Sequence, residues 1–378
     1  MNRTCVMILA FLIFLAGCVP TKTIEDLGII NNYGVDQLEN GQLKSTMVIY
    51  KFAKQNEETS QIVSGEANTM KRVRQIANQY TSFELAPGSI QLALFGAELA
   101  KQGLSRYLDP LERDAKISDM MYLAIAEPTA EKIILTGNKN PRINLNRYLN
   151  DLIKQNKKNN VIPDVRLIDF SNEYFKIGRD PYLPILSIKD NQPIISSVAL
   201  FLDDQLVGKI PLDKVYLISM LHKPIKKLDI QAAIPLKPFK EHMKKQSTKQ
   251  QSRKYAYADL SLRKGKAKTK LLDSQNLKFQ TNVKLSVDLM ELSEEIDLRD
   301  PKVIKKFEKE IENEVKSQYE KLLAYTQKLG ADPFGYGVVY RTHQKGNKPG
   351  NDKLHEIYPN IDVDFNVDVR ILHHGIIP

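Results

Sequence analysis

The first eighteen residues constrain this chain more than any other segment, because they determine the compartment in which the rest folds. Arg3 supplies a positive charge, and twelve apolar residues without a charge run from Cys5 to Ala16. A basic start followed by an apolar run of this length is typical of an export signal. A helix that crosses a membrane needs about 20 apolar residues, so the run is short for a membrane span.

A second cysteine follows this run directly. The segment Leu15-Ala16-Gly17-Cys18 resembles the lipobox of bacterial lipoproteins, in which a diacylglycerol is attached to the cysteine sulfur and the signal is cut just before it. We therefore predict a signal peptide at residues 1–17, a covalent diacylglycerol on Cys18 as the only added group, and a tether at residues 18–26. Two acyl chains anchor a protein stably where one is marginal. The alternative is a buried N-terminal helix with an incidental cysteine.

Composition narrows the class of protein further. The 378 residues carry 55 lysines and arginines against 45 acidic residues, a net charge of +10 that favours anionic neighbours such as lipid headgroups, cell-wall polymer or nucleic acid, without choosing among them. The chain has one long uncharged apolar stretch, which excludes a polytopic membrane protein. Its two cysteines both lie in the N-terminal segment, so we expect a mature body without a disulfide or a cysteine-based zinc site.

Periodicity predicts a chain that contains both helices and strands, with mixed or antiparallel sheets flanked by helices. Apolar strands alternate with helices over residues 27–192, which predicts an N-terminal α/β domain. A proline-punctuated stretch then marks a boundary, followed by a β-rich basic middle domain at residues 193–292 and a C-terminal domain at residues 293–378. Asn40-Gly41 and Asp203-Asp204 are placed as hairpin turns.

The C-terminal domain has the clearest pattern. Asp300-Pro301 is a helix start and Gly330 a helix stop, with apolar residues every three or four positions between them. At 1.5 Å per residue, this helix near the C-terminus would be about 43 Å long. We expect a short strand at residues 337–341 and a second at residues 361–371, forming antiparallel strands against the helix.

Residues 223–278 are strongly basic, with 16 lysines and arginines against four acidic residues. Lysines near an anionic membrane contribute about 1 kcal/mol each, which makes this stretch a candidate for docking on an anionic membrane surface or a partner. The alternative is a solvated basic face with a mobile loop. Few aromatic residues interleave the charges, so we expect no nucleic-acid partner. The candidate patch comprises Lys237, Lys240, Lys244, Lys245, Lys249, Arg253 and Lys254.

Signatures of catalysis are missing from the sequence. It contains no Gly-rich phosphate loop, no GxSxG and no HExxH. Three aspartates on one strand face, at positions 362, 364 and 368, are interpreted as a solvated face with Arg370 as a counter-charge. We expect no catalytic residues and no metal site, with the six histidines at the surface or satisfied by hydrogen bonds: His222, His242, His343, His355, His373 and His374.

Several runs together resemble the Ger(x)C family, the lipoprotein C subunits of germinant receptors in spore-forming bacteria. After the lipobox, Ile24–Ile29 with Tyr33–Asp36 corresponds to the family's E-I-x-x-L-A-x-x-x-G-x-G-I-D run, and Gly96–Asp114 corresponds to its G-E-x-L-A-x-x-G run. Further along, Phe201–Gly208 corresponds to F-x-x-D-x-L-V-G, and Asp332–Gly337 corresponds to D-(P/V)-(F/L)-G. The chain departs from the family at Val19-Pro20, where Trp-Asp is usual, and in having no tryptophan.

The resemblance implies an α+β protein of three domains that is a non-enzymatic, lipid-anchored subunit on the outer face of the inner spore membrane. It would act with A and B membrane subunits in nutrient-triggered germination, with no established small-molecule substrate. The absence of tryptophan puts in question any partner contact that tryptophans make in the family. The alternative is a solute-binding or cell-envelope lipoprotein that acts alone, although the sequence does not show the two similar lobes that a binding protein needs.

Overall fold

The computed structural model describes residues 26–51, 60–138, 145–243 and 253–375. The predicted signal peptide, Cys18 and all of the tether except Asp26 lie outside these residues. The described residues form two β-sheets with helices packed on them, which confirms the predicted α+β class. Within the described ranges, none of the helices combines the length and the apolar character that a membrane span requires.

The first sheet is built from residues 27–211, and its described strands are β1 Leu27–Gln37, β2 Leu43–Tyr50, β3 Ser60–Ala67, β4 Glu84–Ala86, β5 Leu92–Gly96, β6 Tyr122–Ala126, β7 Tyr182–Lys189, β8 Gln192–Leu202 and β9 Gln205–Pro211. Their order is β3-β2-β1-β5-β6-β7-β8-β9, with β4 beside β1. The central strands β1, β5, β6 and β7 run parallel, and antiparallel hairpins close both ends. Both hairpin turns predicted from the sequence are confirmed.

Helices cover this sheet because its central strands are apolar on both faces. All five residues of β5 are buried, as expected for a parallel strand inside an α/β layer. Gly34 of β1 has no side chain, and a Cβ there would come within 2.9 Å of Ile134, so the glycine allows a helix to pack closely. The helices are α1 Met70–Asn78, α2 Ala97–Ala100, α3 Ser105–Arg113, α4 Ala130–Asn138, α5 Leu145–Lys158, α6 Leu167–Tyr174 and α7 Val215–His222.

The second sheet follows α7 and has the order β10-β11-β12-β13. Its elements are β10 Leu228–Pro235, β11 Tyr255–Asp273, β12 Lys278–Leu292 and β13 Asp362–His373, with α8 Pro301–Leu329, α9 Tyr336–His343 and α10 Asn351–Ile357 between the last two strands. Strand β13 pairs parallel with β12. This corrects the antiparallel pairing predicted for the C-terminal strands, because the helices between β12 and β13 supply the long crossover that a parallel pair requires.

Helix α8 confirms the predicted long helix at both ends. The Asp300 carboxylate accepts a hydrogen bond from the N–H of Lys302 at 2.8 Å, and Gly330 ends the helix with φ of 73°. Its apolar face packs on the second sheet, where Tyr319 stacks on Phe365 with ring centroids 4.9 Å apart. Burying a side chain of this size stabilises the fold by about 1.5–3 kcal/mol.

The last turns of α8 also touch the first sheet. The hydroxyl of Tyr325 accepts a hydrogen bond from the N–H of Lys209 in β9 at 3.3 Å. Gly208 makes this approach possible, since a Cβ at that position would lie 2.5 Å from a methyl carbon of Leu329. One helix therefore packs against both sheets.

The strand predicted at residues 337–341 is wrong, because this segment is the helix α9. Its valines and tyrosines suit a strand by local propensity. Gly335 precedes the helix with φ of 82°, and the Asp332 carboxylate accepts the N–H groups of Gly335 and Gly337. These hydrogen bonds satisfy the donors that the start of a helix leaves free and so override the propensity.

Both predicted domain boundaries fall inside sheets. Residues 192 and 193 belong to the β7–β8 hairpin, whose two-residue turn places Asp190 and Asn191 at φ of 49° and 58°. Both residue types tolerate the left-handed region, so the turn forms despite the flanking prolines. The boundary at residues 292 and 293 lies between β12 and β13, which pair with each other. The number of independently folding domains stays a prediction.

Candidate functional site: a polar junction between the sheets

Buried and half-buried polar side chains meet where the two sheets adjoin. We call this group the polar junction and define it as Arg179, Asp180, His222, Asp332 and His355. Asp332 lies in the loop after α8 and is 3% exposed. Its carboxylate accepts the N–H groups of Gly335 at 2.8 Å and Gly337 at 2.7 Å. Burial raises the pKa of Asp332 to about 7, and the nearby Asp180 charge acts in the same direction.

Asp180 precedes β7 and links three segments of the chain. One carboxylate oxygen accepts the N–H of Asp203 at 3.0 Å, and the other accepts the N–H of Asp332 at 2.7 Å. The N–H of Asp180 in turn donates to the carbonyl oxygen of Asp332 at 3.0 Å. The hairpin β8–β9, the start of β7 and the loop after α8 are thereby held together by one side chain.

His355 of α10 completes this part of the polar junction. Its Nε2 lies 3.1 and 3.2 Å from the two oxygens of Asp180. Burial of the ring opposes protonation, but the hydrogen bond to Asp180 and the charges of Asp180 and Asp203 outweigh it and raise the pKa of His355. The ring therefore holds a proton more readily than an exposed histidine.

The ligand atoms of Asp180, Asp203 and His355 lie within 4.8 Å of one another, a spacing that also suits a metal ion. Hydrogen bonds already account for this cluster, because two peptide N–H groups and the imidazole occupy the Asp180 oxygens. The expectation of no metal site stays a prediction.

A second pair of side chains lies on the other side of the loop. Arg179 donates to both oxygens of Glu173 and contacts Nδ1 of His222 at 2.6 Å. Nε2 of His222 lies 2.8 Å from the carbonyl oxygen of Pro333. Burial lowers the pKa of His222 to about 3, and the Arg179 charge adds to this effect. The neutral ring therefore accepts from Arg179 through Nδ1 and donates to Pro333 through Nε2–H.

A cleft of about 210 Å³ opens beside this pair, between α6 and the end of α7. Its walls include Asp164, Glu173, Arg179 and Lys223, so both charges line it. Two of its carboxylates are already paired: Asp164 accepts from Lys157 at 2.8 Å and from Lys223, and Glu173 accepts from Arg179. A third, Asp169, accepts the N–H of Arg166 at 3.3 Å, so these acidic groups have partners within the fold.

Comparison with known proteins identifies the family. A family model described as "Spore germination protein N-terminal domain" matches residues 20–188, and one described as "Spore germination B3/ GerAC like, C-terminal" matches residues 196–375. The chain belongs to the Ger(x)C family of spore germination proteins. It is 25% identical over 372 residues to the spore germination protein GerQC of Bacillus cereus, covering 98% of both chains. The crystal structure of the GerBC protein is similar over 93% of this chain and all of that one, at 14% identity and a TM-score of 0.49.

The runs that resemble Ger(x)C sequences pack against one another. Asp204 of the third run accepts the N–H of Ser105 of the second run at 2.9 Å, through its carboxylate, and the N–H of Leu104 at 3.0 Å, through its carbonyl oxygen. Gly103 has φ of 105°, and a Cβ there would lie 2.7 Å from the Asp204 carboxylate. Asp204 therefore accepts the hydrogen bonds of this contact, and the glycine at position 103 leaves the space for it.

Asp36, which ends the first Ger(x)C run, is used in the same way. Its carboxylate accepts the N–H groups of Ala130 at 2.7 Å and Glu131 at 2.9 Å, at the start of α4. Gly96, which opens the second run, leaves room for it, since a Cβ would come within 2.3 Å of Asp36. Burial raises the pKa of Asp36 against the effect of these hydrogen bonds.

The residues that the sequence predicts as sites either fall outside the described residues or do not come together in the fold. Leu15, Ala16, Gly17 and Cys18 of the lipobox, and Lys244, Lys245 and Lys249 of the basic patch, lie outside the described residues. Lys237, Lys240 and Lys254 are exposed. Arg253 instead pairs with Glu294 at 2.6 Å, and the Glu294 side chain is only 1% exposed. Arg253 thus has a partner within the fold.

Sequence reasoning named Asp332 and Asp203 only as parts of motifs, and it missed Asp180 altogether. A pattern was available for Asp332, because aspartate side chains at turns often accept the N–H groups of residues that follow them. Asp180 carries no such local signal, since its partners are far away in sequence. The aspartates at positions 364 and 368 are exposed, with Lys316 at 3.8 Å and Lys284 at 3.7 Å.

Proposed function

We propose that this Ger(x)C protein is a non-enzymatic subunit of a nutrient germinant receptor, required for spore germination. A diacylglycerol on Cys18 anchors it to the outer face of the spore's inner membrane, and its partners are the A and B membrane subunits of the receptor. Membership of the family, through models that match residues 20–188 and 196–375, carries the proposal.

The polar junction supports a structural rather than a chemical role. The oxygens of Asp180 and Asp332 accept peptide N–H groups, and both nitrogens of His222 are engaged by Arg179 and Pro333. Groups committed in this way hold chain segments in place. We infer that the junction keeps the two sheets at a fixed relative position, so that the body presents one rigid surface to its partners.

Replacing the lipidated residue tests the anchor. Spores that carry Cys18→Ala should lose the protein from the inner-membrane fraction and germinate as slowly as spores that lack it. Cys5→Ala is the matched control, because it makes the same change inside the predicted signal and leaves the lipobox intact. Mass spectrometry of the native protein should find a diacylglycerol on the sulfur of Cys18. Unchanged membrane retention and germination in the Cys18 variant would refute the anchoring mechanism.

Co-purification tests the partners. Mild solubilisation of spore membranes and pull-down of the tagged chain should recover A-type and B-type receptor subunits together. Recovery of the chain alone under conditions that preserve other receptor complexes would favour the alternative, a lipoprotein that acts by itself.

One observation keeps the solute-binding alternative second. The two sheets differ in size and topology, whereas a two-lobed binding protein has similar lobes. A thermal-shift screen with nutrients discriminates between the two functions, since a large and specific shift in the isolated protein would favour the alternative.

A further inference from the structure

A groove lies between the end of α7 and the outer face of the second sheet, and it shares His222 and Lys223 with the cleft beside Arg179. It has a volume of about 380 Å³. Four lysines line it: Lys223 from the end of α7, Lys266 and Lys268 from β11, and Lys284 from β12. We call it the basic groove and define it by these four lysines.

Two lysines of the basic groove are placed directly opposite each other. Lys266 and Lys284 are cross-strand partners in the antiparallel pair β11–β12. Side chains at such positions start about 4.5–5.5 Å apart, and like charges there destabilise a sheet. A sheet that served only as a scaffold would be more stable with a neutral residue at either position.

The fold compensates only part of this charge, because Lys223 pairs with Asp164 but the lysines of the sheet are less well matched. In the part of the chain that the structure describes, no carboxylate forms an ion pair with Lys266 or Lys268. Lys284 is 3.7 Å from Asp368, and both side chains are about two-thirds exposed, so solvent screens this pair. Carboxylates line the neighbouring cleft, whereas none of the described residues that line the basic groove is acidic.

The floor of the basic groove is apolar and its wall has an amide. Met220 and Pro224 line it on the helix side, and Asn282 lines it on the sheet side. This combination offers a contact surface for a carbon skeleton, a hydrogen-bond donor, and ammonium groups for an anion. The volume falls within the range of small-ligand sites, unlike that of the first cleft.

We propose that the basic groove binds a phosphate group carried on a small organic body. A phosphate presents several acceptor oxygens on one centre, so it can neutralise Lys266 and Lys284 at once, whereas one carboxylate would leave a lysine uncompensated. The phosphate belongs to a soluble ester or to a lipid headgroup. This inference does not depend on Cys18 or on the receptor subunits.

The test compares two double variants of the full chain, purified in a zwitterionic detergent. Lys266→Gln with Lys268→Gln removes two charges from the basic groove. Lys264→Gln with Lys270→Gln is the matched control, because both residues are exposed on the same strand and neither lines the groove. Calorimetric titration uses inorganic pyrophosphate as the soluble probe and dihexanoyl phosphatidylglycerol as the headgroup probe.

We expect the unaltered chain to bind at least one probe, and the groove variant to bind it at least about tenfold more weakly, because each lost charge-assisted hydrogen bond contributes at least this factor. The control should stay within about twofold. Binding of pyrophosphate alone assigns a soluble phosphate, and binding of the lipid probe alone assigns a headgroup. No binding of either probe, or equal weakening in both double variants, overturns the proposal.

A second measurement does not need a ligand. Relief of the Lys266–Lys284 repulsion should give the single variant Lys266→Gln a higher melting temperature than the unaltered chain at low ionic strength, and salt should shrink the difference. Lys264 faces the uncharged Ser286, so Lys264→Gln should give no such rise in melting temperature. A lower melting temperature for Lys266→Gln would contradict the idea that this charge is kept at the expense of stability.

Discussion

Asp180 and Asp332 are joined by two hydrogen bonds although 152 residues separate them in sequence. The N–H of Asp332 donates to the Asp180 carboxylate at 2.7 Å, and the N–H of Asp180 donates to the carbonyl oxygen of Asp332 at 3.0 Å. The entry to β7 and the exit from α8 are thereby fixed to each other. Because each half of the chain supplies one partner, neither half can form this contact alone.

Asp332 should make stability depend on pH. The folded state keeps the proton up to a pKa of about 7, whereas the unfolded state loses it near about 3.9. The folded state thus binds more protons between these values, so this carboxyl group makes a contribution to the free energy of unfolding that falls as pH rises from about 4 to about 7, by at most about 1.4 kcal/mol per pH unit. Asp332→Asn should remove this contribution, so that the stability of the variant relative to the unaltered chain rises with pH in urea denaturation measured from pH 4.5 to 8.

The exposed Asp352 of α10 gives the control for that experiment. Asp352→Asn should leave the pH slope of the unaltered chain in place. If Asp332→Asn also leaves it in place, the carboxylate of Asp332 is ionised in the folded state across the whole range and burial does not set its protonation.

His222 should make the chain sensitive to acid. Its folded pKa is about 3 against 6.5 for an ordinary histidine, so only the unfolded state takes up a proton as pH falls from 6.5. The contribution of this histidine to the free energy of unfolding should therefore fall toward pH 4, by at most about 1.4 kcal/mol per pH unit and with the opposite sign to that of Asp332. His222→Gln keeps one donor and one acceptor but cannot titrate, so it should reduce this loss. His343→Gln, at an exposed site, should not.

Substitution of Gly178 tests how closely the chain at residue 178 approaches residues 337 and 338. A Cβ there would lie 2.6 Å from backbone atoms of Gly337 and Val338, and φ is 95°. Gly346 has φ of 82° with open space around it, so Gly346→Ala isolates the backbone strain. We expect Gly346→Ala to cost about 1 kcal/mol and Gly178→Ala about 3 kcal/mol or more in urea denaturation. Equal costs would mean that the halves separate easily at this contact.

Arg253 should contribute to stability rather than to surface charge alone. Arg253→Gln leaves the buried Glu294 carboxylate without its cation, and we expect a loss of about 1–2 kcal/mol in the free energy of unfolding. The adjacent Lys254→Gln removes an exposed charge and should change stability by less than about 0.5 kcal/mol. The same loss in both variants would show that the Arg253–Glu294 pair adds nothing beyond net charge.

Local signals in the sequence predict several elements correctly. Helix α8 was bounded by Asp300-Pro301 and Gly330, and the hairpins at Asn40-Gly41 and Asp203-Asp204 followed from turn residues. These features depend on hydrogen bonds between residues close in sequence. The residue types and their spacing in the sequence therefore indicate where such hydrogen bonds form.

Features that depend on distant partners were not predictable in the same way. The segment at residues 337–341 forms a helix because of the Asp332 carboxylate, and β13 runs parallel to β12 because of the helices between them. The polar junction needs Asp180 and Asp332 side by side, which only the folded chain provides. The basic groove likewise depends on the register that places Lys266 opposite Lys284.

Helix α8 lies on the second sheet while Tyr325 and Leu329 near its end rest on β9 of the first. The 29 residues of this helix span about 43 Å, so its contacts with the two sheets are part of one continuous hydrogen-bonded element. A change in the position of one sheet relative to the other would therefore have to break or rearrange the packing of α8 on at least one of them.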